Sequence, residues 1–288
     1  MSPLLRDAPG AAGAVSRAPG AGADVWRIEL TTTIALAGKG GTGKTTVAAM
    51  IVRYLVENQT GPILAIDADP ASNLPLVLGV RAEQTVGDIR EDMLDLVQSS
   101  GALAGSMPGG MSKQEYLDYQ VQMALEEGER VDLLVMGRPE GQGCYCAANQ
   151  MLRVIIDRLG KQYDYVVIDN EAGMEHLSRR TTRDVDVLLL VTDPTQRGIV
   201  TAQQMKEMVP GLEIGVGRMY LIVNRLRGQI PVPLEEAIRK TGLDLLGTVP
   251  EDPVMAEFEF TGRPLVQLPE ETMVYQSVSD MARKMLVG

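Results

Sequence analysis

The stretch Gly38-Lys39-Gly40-Gly41-Thr42-Gly43-Lys44-Thr45-Thr46 constrains this chain more than any other. An apolar run, Ile34-Ala35-Leu36-Ala37, precedes it. A helical pattern follows, with Val47, Met50, Ile51, Tyr54 and Leu55 on one face. Strand, glycine loop and helix is the context in which G-x-x-x-x-G-K-[ST] wraps a phosphate. Glycines let the backbone approach closely and aim successive N–H groups inward. The helix starting at Lys44 adds the positive end of its dipole. The motif predicts Lys44 at the β- and γ-phosphates of a nucleoside triphosphate and the Thr45 hydroxyl on Mg²⁺. A plain glycine-rich turn is the competing reading, and the filled motif positions in this context disfavour it.

From Ile28 onward, apolar runs alternate with helical patterns, the signature of a parallel sheet covered by helices. Strands are expected at 33–37, 63–66, 131–136, 165–168, 187–191, 219–223 and 245–249. Most are short and apolar on both faces, as strands between two helical layers are. The expectation is one α/β domain over 28–288, a doubly wound, mostly parallel sheet with helices on both faces. Residues 1–27 are rich in Ala, Gly and Pro and read as a disordered tail; Pro9, Gly10, Gly13, Arg17 and Pro19 interrupt any secretory core. A formal net charge of −11 argues against non-specific nucleic-acid binding and against a polybasic membrane anchor. Two cysteines are too few for a disulfide scaffold, and a phosphate loop draws on cytosolic ATP, so a cytoplasmic location is expected. Between Leu74 and Arg130 lies a helical, Gly-rich insert, its composition shifting at Ser99-Ser100-Gly101 and Met107-Pro108-Gly109-Gly110-Met111, with no role assigned.

In such a sheet the ligand lies beyond the carboxyl ends of the strands, so chemistry is sought just after each one. After the second strand comes Asp67-Ala68-Asp69-Pro70. Its carboxylates either serve Mg²⁺ and an attacking water or cap the helix beyond Asn73. After the fourth comes Asp169-Asn170-Glu171-Ala172-Gly173. An acidic residue ending an apolar strand fits a Walker B carboxylate that holds Mg²⁺ through water, and Gly173 gives the segment backbone freedom to sense a γ-phosphate. Asn224-Arg225 follows the sixth strand, and Pro250-Glu251-Asp252 closes the last. The third strand leads into Arg138-Pro139-Glu140-Gly141-Gln142-Gly143-Cys144-Tyr145-Cys146. In extended backbone, residues i and i+2 point the same way, so Cys144 and Cys146 can share a ligand. Thiolates suit Zn²⁺, nickel, Cu(I) or an iron–sulfur cluster. Two sulfurs leave a tetrahedral site open. Either His176, the only histidine, completes it with a carboxylate, or a second subunit contributes another pair. Incidental loop thiols are the bland alternative; a disulfide at this spacing closes a strained ring.

Lys39, in K-G-G-T-G-K-T-T, and the D-x-D-P segment at Asp67 resemble the MinD/ParA/nitrogenase-iron-protein class of deviant Walker A P-loop ATPases. The resemblance implies a homodimer sandwiching ATP and hydrolysing it to ADP and phosphate. Lys39 then reaches the partner's nucleotide and Lys44 acts within its own chain, while Asp69 orients or deprotonates the attacking water. Asp67 supports the Mg²⁺ shell beside Thr45 and Asp169. Asn224, with Arg225, reads adenine, and Pro250 and Asp252 form a second adenine-side segment; asparagine is also a common turn residue.

The segments G-R-P-E-G-x-G-C-Y-C-A-x-N, V-I-D-N-E-A-G-M-E-H-L-S-R-R and T-D-P-T-x-R-G narrow the resemblance to CooC-type ATPases. Those mature carbon monoxide dehydrogenase and acetyl-CoA synthase by supplying nickel. This implies Ni²⁺ (or Zn²⁺) held by Cys144 and Cys146 across a dimer, a client nickel enzyme, and neither nucleic acid nor membrane as partner. Two other classes stay open. A MinD/ParA-like positioning ATPase carries a basic amphipathic C-terminal helix or a basic surface, whereas residues 273–286 offer only Arg283 and Lys284 as cations. An ATP-dependent iron–sulfur carrier or reductase component uses other cysteine spacings.

Overall fold

A computed structural model describes residues 31–99, 110–137, 154–173, 184–212 and 214–287. All seven expected strands are present: β1 (Thr32–Ala37), β2 (Ile63–Ala68), β3 (Val131–Val135), β4 (Tyr165–Asn170), β5 (Asp184–Thr192), β6 (Gly215–Leu226) and β7 (Asp244–Pro250). They form one sheet in the order β3-β2-β4-β1-β5-β6-β7, and every pairing is parallel. The sheet is therefore wound outward in both directions from β1, the geometry that opens a crevice at the carboxyl edge beside that strand. β5 and β6 begin earlier than their apolar runs. Asp184 and Asp186 are exposed at the start of β5, and Asp186 still serves the sheet by accepting a hydrogen bond from Thr33 N at 2.7 Å.

Side-chain alternation divides the core in two. Ile34 and Leu36 face a layer built from α1 (Lys44–Asn58), α2 (Leu74–Leu78), α8 (Pro253–Thr261) and α9 (Met273–Val287). Ala35 and Ala37 face α3 (Val86–Ser99), α4 (Lys113–Met123), α5 (154–160), α6 (Gln196–Met208) and α7 (Val232–Thr241). No helix among the described residues is long and apolar enough to cross a membrane.

The phosphate-loop helix α1 is buried almost all round, from Val47 to Leu55, which is why it is apolar on more than one face. Beyond the loop lysine at its first position, its buried cation is Arg53, which is engaged on three sides. Arg53 donates to Glu57 and to the Leu268 carbonyl, and its guanidinium lies 3.8 Å from the centre of the Tyr275 ring. The Tyr275 hydroxyl in turn donates to Glu57. This cluster fastens α1 to the turn before α9 and to α9 itself. Replacing Arg53 by alanine leaves the buried Leu268 carbonyl without its donor, takes one of two donors from Glu57 and removes the cation over Tyr275, and we expect a loss of about 2–4 kcal/mol of stability. Denaturant unfolding measures it; a change below about 0.5 kcal/mol, the range of an indifferent surface substitution, would show that the cluster is dispensable.

Candidate nucleotide-binding site

The register brings the candidate carboxylates together. Asp169 of β4 pairs with Asp67 of β2 on one side and with Leu36 of β1 on the other. Residues paired in register point to the same face, here the face covered by α1. Two carboxylates thus stand side by side at the sheet edge beneath the N-terminus of the helix that carries Lys44 and Thr45.

The loop between β1 and α1 is held from three directions. A β-carbon on Gly38 would lie 2.2 Å from the Val191 carbonyl oxygen of β5, so only glycine lets the chain leave the sheet here. Gly43 has φ 87° and lies so close to Asn224 that a β-carbon would sit 2.2 Å from its amide nitrogen. Asn224 uses that nitrogen to donate to the Thr42 carbonyl at 2.7 Å, while its Oδ1 accepts from Arg225 N at 2.9 Å. Gly173 N donates to the Gly38 carbonyl at 3.2 Å, which lays the segment after β4 along the loop. The Lys39 carbonyl accepts from the Thr42 hydroxyl at 2.9 Å, from Thr42 N at 3.4 Å and from Lys44 Nζ at 3.5 Å. Its carbonyl faces inward, and Lys39 itself is exposed. Lys44 is only 6% exposed, with that single long hydrogen bond on its ammonium.

The two carboxylates differ sharply in environment. Asp67 Oδ1 accepts from Asp69 N at 3.0 Å and Oδ2 from Leu74 N at 2.9 Å, so it fixes the turn of 69–73 and caps α2. Burial still lifts its carboxyl to about 6 against those two bonds. Asp169 is 1% exposed, and neither of its oxygens has a hydrogen bond of normal geometry. Burial pushes it up to about 7. The adjacent Thr45 hydroxyl and Lys44 pull it down in part, while Asp67 and Asp69 push it further up. A buried, unbonded anion beside a hydroxyl and an ammonium fits a divalent cation with an attached polyphosphate. Asp69 is half-buried one turn away. Its Oδ1 accepts from Ala71 N at 2.9 Å, and the loop then passes through Ser72 with φ 48°, one of the two non-glycine residues with positive φ among those described. The other is Arg225, exposed at the end of β6 with φ 59°.

The remaining predicted residues fall differently. Pro250 ends β7 beside Leu226. Asp252 uses both oxygens for capping: Oδ1 accepts from Val254 N at 2.8 Å in α8, and Oδ2 from Met273 N at 3.0 Å in α9. The sequence signals one cap at most; a carboxylate that also serves a helix start 21 residues further on has no local signature. Cys144, Cys146 and His176 lie outside the described residues. The strand leading to the cysteines ends on the same edge, where Met136 N donates to the Asp67 carbonyl at 2.8 Å and Gly87 N to the Met136 carbonyl at 2.9 Å. Among the described residues no three His, Cys, Asp or Glu side chains are grouped to hold a metal ion. Asn170, to which the motif gives no role, donates to the Leu36 carbonyl beside the site, while the loop residue Thr42 accepts from Asn224.

The sequence profile of the CobQ/CobB/MinD/ParA nucleotide binding domain matches residues 33–265. An uncharacterised ATP-binding protein of Methanocaldococcus jannaschii is 44% identical over 253 residues, covering 88% of this chain and 98% of that protein. The carbon monoxide dehydrogenase accessory protein CooC of Rhodospirillum rubrum is 32% identical over 224 residues, covering 76% of this chain and 83% of that protein. Among solved structures, the cell division ATPase MinD of Pyrococcus furiosus superimposes with a TM-score of 0.64 at 23% identity, over 90% of this chain and 99% of that one, which establishes the fold.

The raised carboxyls give a prediction with a definite sign. Burial takes Asp169 from 3.8 to about 7, so between those values the folded chain holds a proton that the unfolded chain has lost. Without nucleotide or metal, this group is least costly below its unfolded pKa, and stability falls as pH rises through its folded pKa. Asp67, lifted to about 6, acts in the same direction. Asp169→Asn keeps the shape and removes the charge, so it should flatten that fall and raise stability at about pH 8 by about 1–3 kcal/mol. Thermal melts in EDTA from about pH 5 to about pH 8 check this; identical slopes for the two proteins would refute it.

Proposed function

The chain belongs to the CobQ/CobB/MinD/ParA nucleotide-binding family, and on that premise we propose that it hydrolyses ATP as a homodimer and serves as a metallochaperone. In this reading Cys144 and Cys146 of two copies together bind one ion, Ni²⁺ (or Zn²⁺), for insertion into carbon monoxide dehydrogenase or a related enzyme. Residues 28–288 act as the ATPase domain in the cytoplasm, and the 1–27 tail takes no part. The observation that carries the ATPase half is the Asp169 carboxylate, buried without hydrogen bonds beside Thr45 and Lys44. Similarity to the Rhodospirillum rubrum accessory protein, whose name ties it to carbon monoxide dehydrogenase, supports the other half together with the C-Y-C segment.

The roles follow from charge and reach. Lys44 neutralises the β- and γ-phosphate oxygens, and the inward N–H groups of Gly40 to Thr46 cradle them. Thr45 and Asp169 hold Mg²⁺, which when bound neutralises charge developing on the phosphates. Asp67 keeps the 69–73 loop in place, and Asp69 orients the attacking water and accepts its proton. Lys39 of the second copy adds a cation at the γ-phosphate. Asn224, Arg225 and Pro250 border the adenine side; Asp252 acts there by holding α8 and α9 at their starts. Gly173, with φ 101°, leaves the Gly38 carbonyl when its N–H turns to the γ-phosphate.

A membrane-positioning ATPase would need a free amphipathic helix. The apolar side of α9, Val274, Tyr275, Val278, Met281 and Met285, is buried in the core shared with α1, which favours the maturation reading.

Two measurements test the proposal. Lys44→Ala should slow ATP hydrolysis by about a hundredfold or more; near-normal turnover would remove the phosphate loop from the mechanism. Anaerobic titration with Ni²⁺ and Zn²⁺ should find one ion per two chains and no tight binding to Cys144→Ser/Cys146→Ser. One ion per chain, or affinity untouched by the double substitution, would leave an ATPase without a shared metal site.

A further inference from the structure

We propose that Asn170 is a positioning residue, whose side-chain amide locks the end of β4, and with it the Asp169 carboxylate, against the last strand residues before the phosphate loop. The inference rests on the nucleotide reading above and adds a residue to it. Asn170 is 1% exposed and its Nδ2 donates to the Leu36 carbonyl at 2.9 Å. Leu36 is the β1 residue in register with Asp169, two positions before Gly38. The bond therefore spans the junction between the strand that presents the carboxylate and the strand that launches the loop. A second bond, Gly173 N to the Gly38 carbonyl at 3.2 Å, ties the same segment to the loop three residues later. Between them, Ala172 lies beside Gly40, where a β-carbon would meet its methyl at 3.7 Å.

Alternation along β4 puts Asn170 on the face opposite Asp169. It touches neither phosphate nor magnesium and can act only through its neighbour. A packing role does not account for it. Its Oδ1 is buried with no hydrogen-bond partner among the described residues, and a buried acceptor in that state costs about 1–3 kcal/mol. A leucine has the same branching and number of side-chain heavy atoms, so it approximates that outline without burying an unpaired acceptor. What the amide supplies, and leucine lacks, is the donor to Leu36. Three of the buried polar atoms without partners in the described structure fall on Asp169 and Asn170, so polar strain is concentrated at this strand end.

The test separates metal positioning from general folding. A fluorescent ADP analogue is titrated onto the full chain in Mg²⁺ and in EDTA, and melting is followed in parallel. The unaltered chain should bind more tightly with magnesium. Asn170→Leu should keep its melting temperature and its affinity in EDTA but lose about tenfold of the magnesium-dependent gain, as supports behind a metal ligand commonly do. Lys44→Ala, by contrast, should weaken binding in both conditions. A full magnesium gain in Asn170→Leu, or equal losses with and without magnesium, overturns the positioning role. If the leucine variant does not fold, Asn170→Ala is put to the same comparison. Absence of any magnesium gain in the unaltered chain defeats the nucleotide reading itself, and is seen before any variant is made.

Discussion

The Gly38 backbone passes so close to β5 that a methyl group would come within 2.2 Å of the Val191 carbonyl oxygen, and this contact fixes where the phosphate loop leaves the sheet. The same loop is braced at its far end by Asn224 of β6, which donates to the Thr42 carbonyl. Along its flank it is held by Gly173, beyond β4. Contacts from β5, from β6 and from the segment after β4 therefore set the one loop between β1 and α1. Rigid placement of this kind lets N–H groups face a phosphate without reorganising when it arrives. The loop is only as well placed as the sheet, and the sheet depends on the two apolar layers that the alternation of β1 separates.

Against that frame the paired carboxylates divide the electrostatic work. Both are buried and both are raised, yet Asp67 has a backbone N–H on each oxygen and Asp169 has none. A carboxylate bonded to its own loop resists movement of that loop; one left without partners is available to a cation. Placing two such groups in register is unfavourable without a counter-ion, because burial raises both and Asp67 raises Asp169 further. In the proposed nucleotide-bound state a magnesium ion would reverse the sign of that interaction. The instability of the empty site and the affinity of the filled one are then two expressions of the same charges.

Much of this was legible in the sequence, for reasons that particular elements make plain. The seven strands, the glycine loop and the acidic strand ends are encoded in local runs, and each lies where the pattern puts it. Strand starts were not legible where charge begins the strand, as with Asp184 and Asp186, because polarity hides extended backbone at a sheet edge. Side-chain partners across long separations were also hidden. Asp67 was read as either cap or magnesium support, and its two backbone bonds establish the capping contact without settling the other role. Asp252, an adenine-side residue by resemblance, caps two helix starts, and Asn170 has no role of its own in the sequence motif between Asp169 and Glu171. Spacing reports neighbours three or four residues apart; it carries nothing about a contact between residues 134 apart, such as Asn170 to Leu36.

Lys39 shows how the loop's internal bonds bear on association. Its carbonyl faces three donors from Thr42 and Lys44, so the backbone turns inward at this residue and the side chain is left in solvent. An ammonium in water is screened within about 10 Å at ordinary salt and contributes little to its own chain. Brought against the γ-phosphate of a second copy, with water excluded, the same charge interacts far more strongly. In the proposed dimer the gain appears only when a γ-phosphate is present. By reciprocity, ATP must then tighten the dimer by the factor with which the dimer tightens ATP. Hydrolysis removes the group that Lys39 meets, so the association it drove weakens at the step that produces ADP. In the proposed dimer, a lysine whose charge contributes little within one chain would thereby make the subunit contact follow the nucleotide.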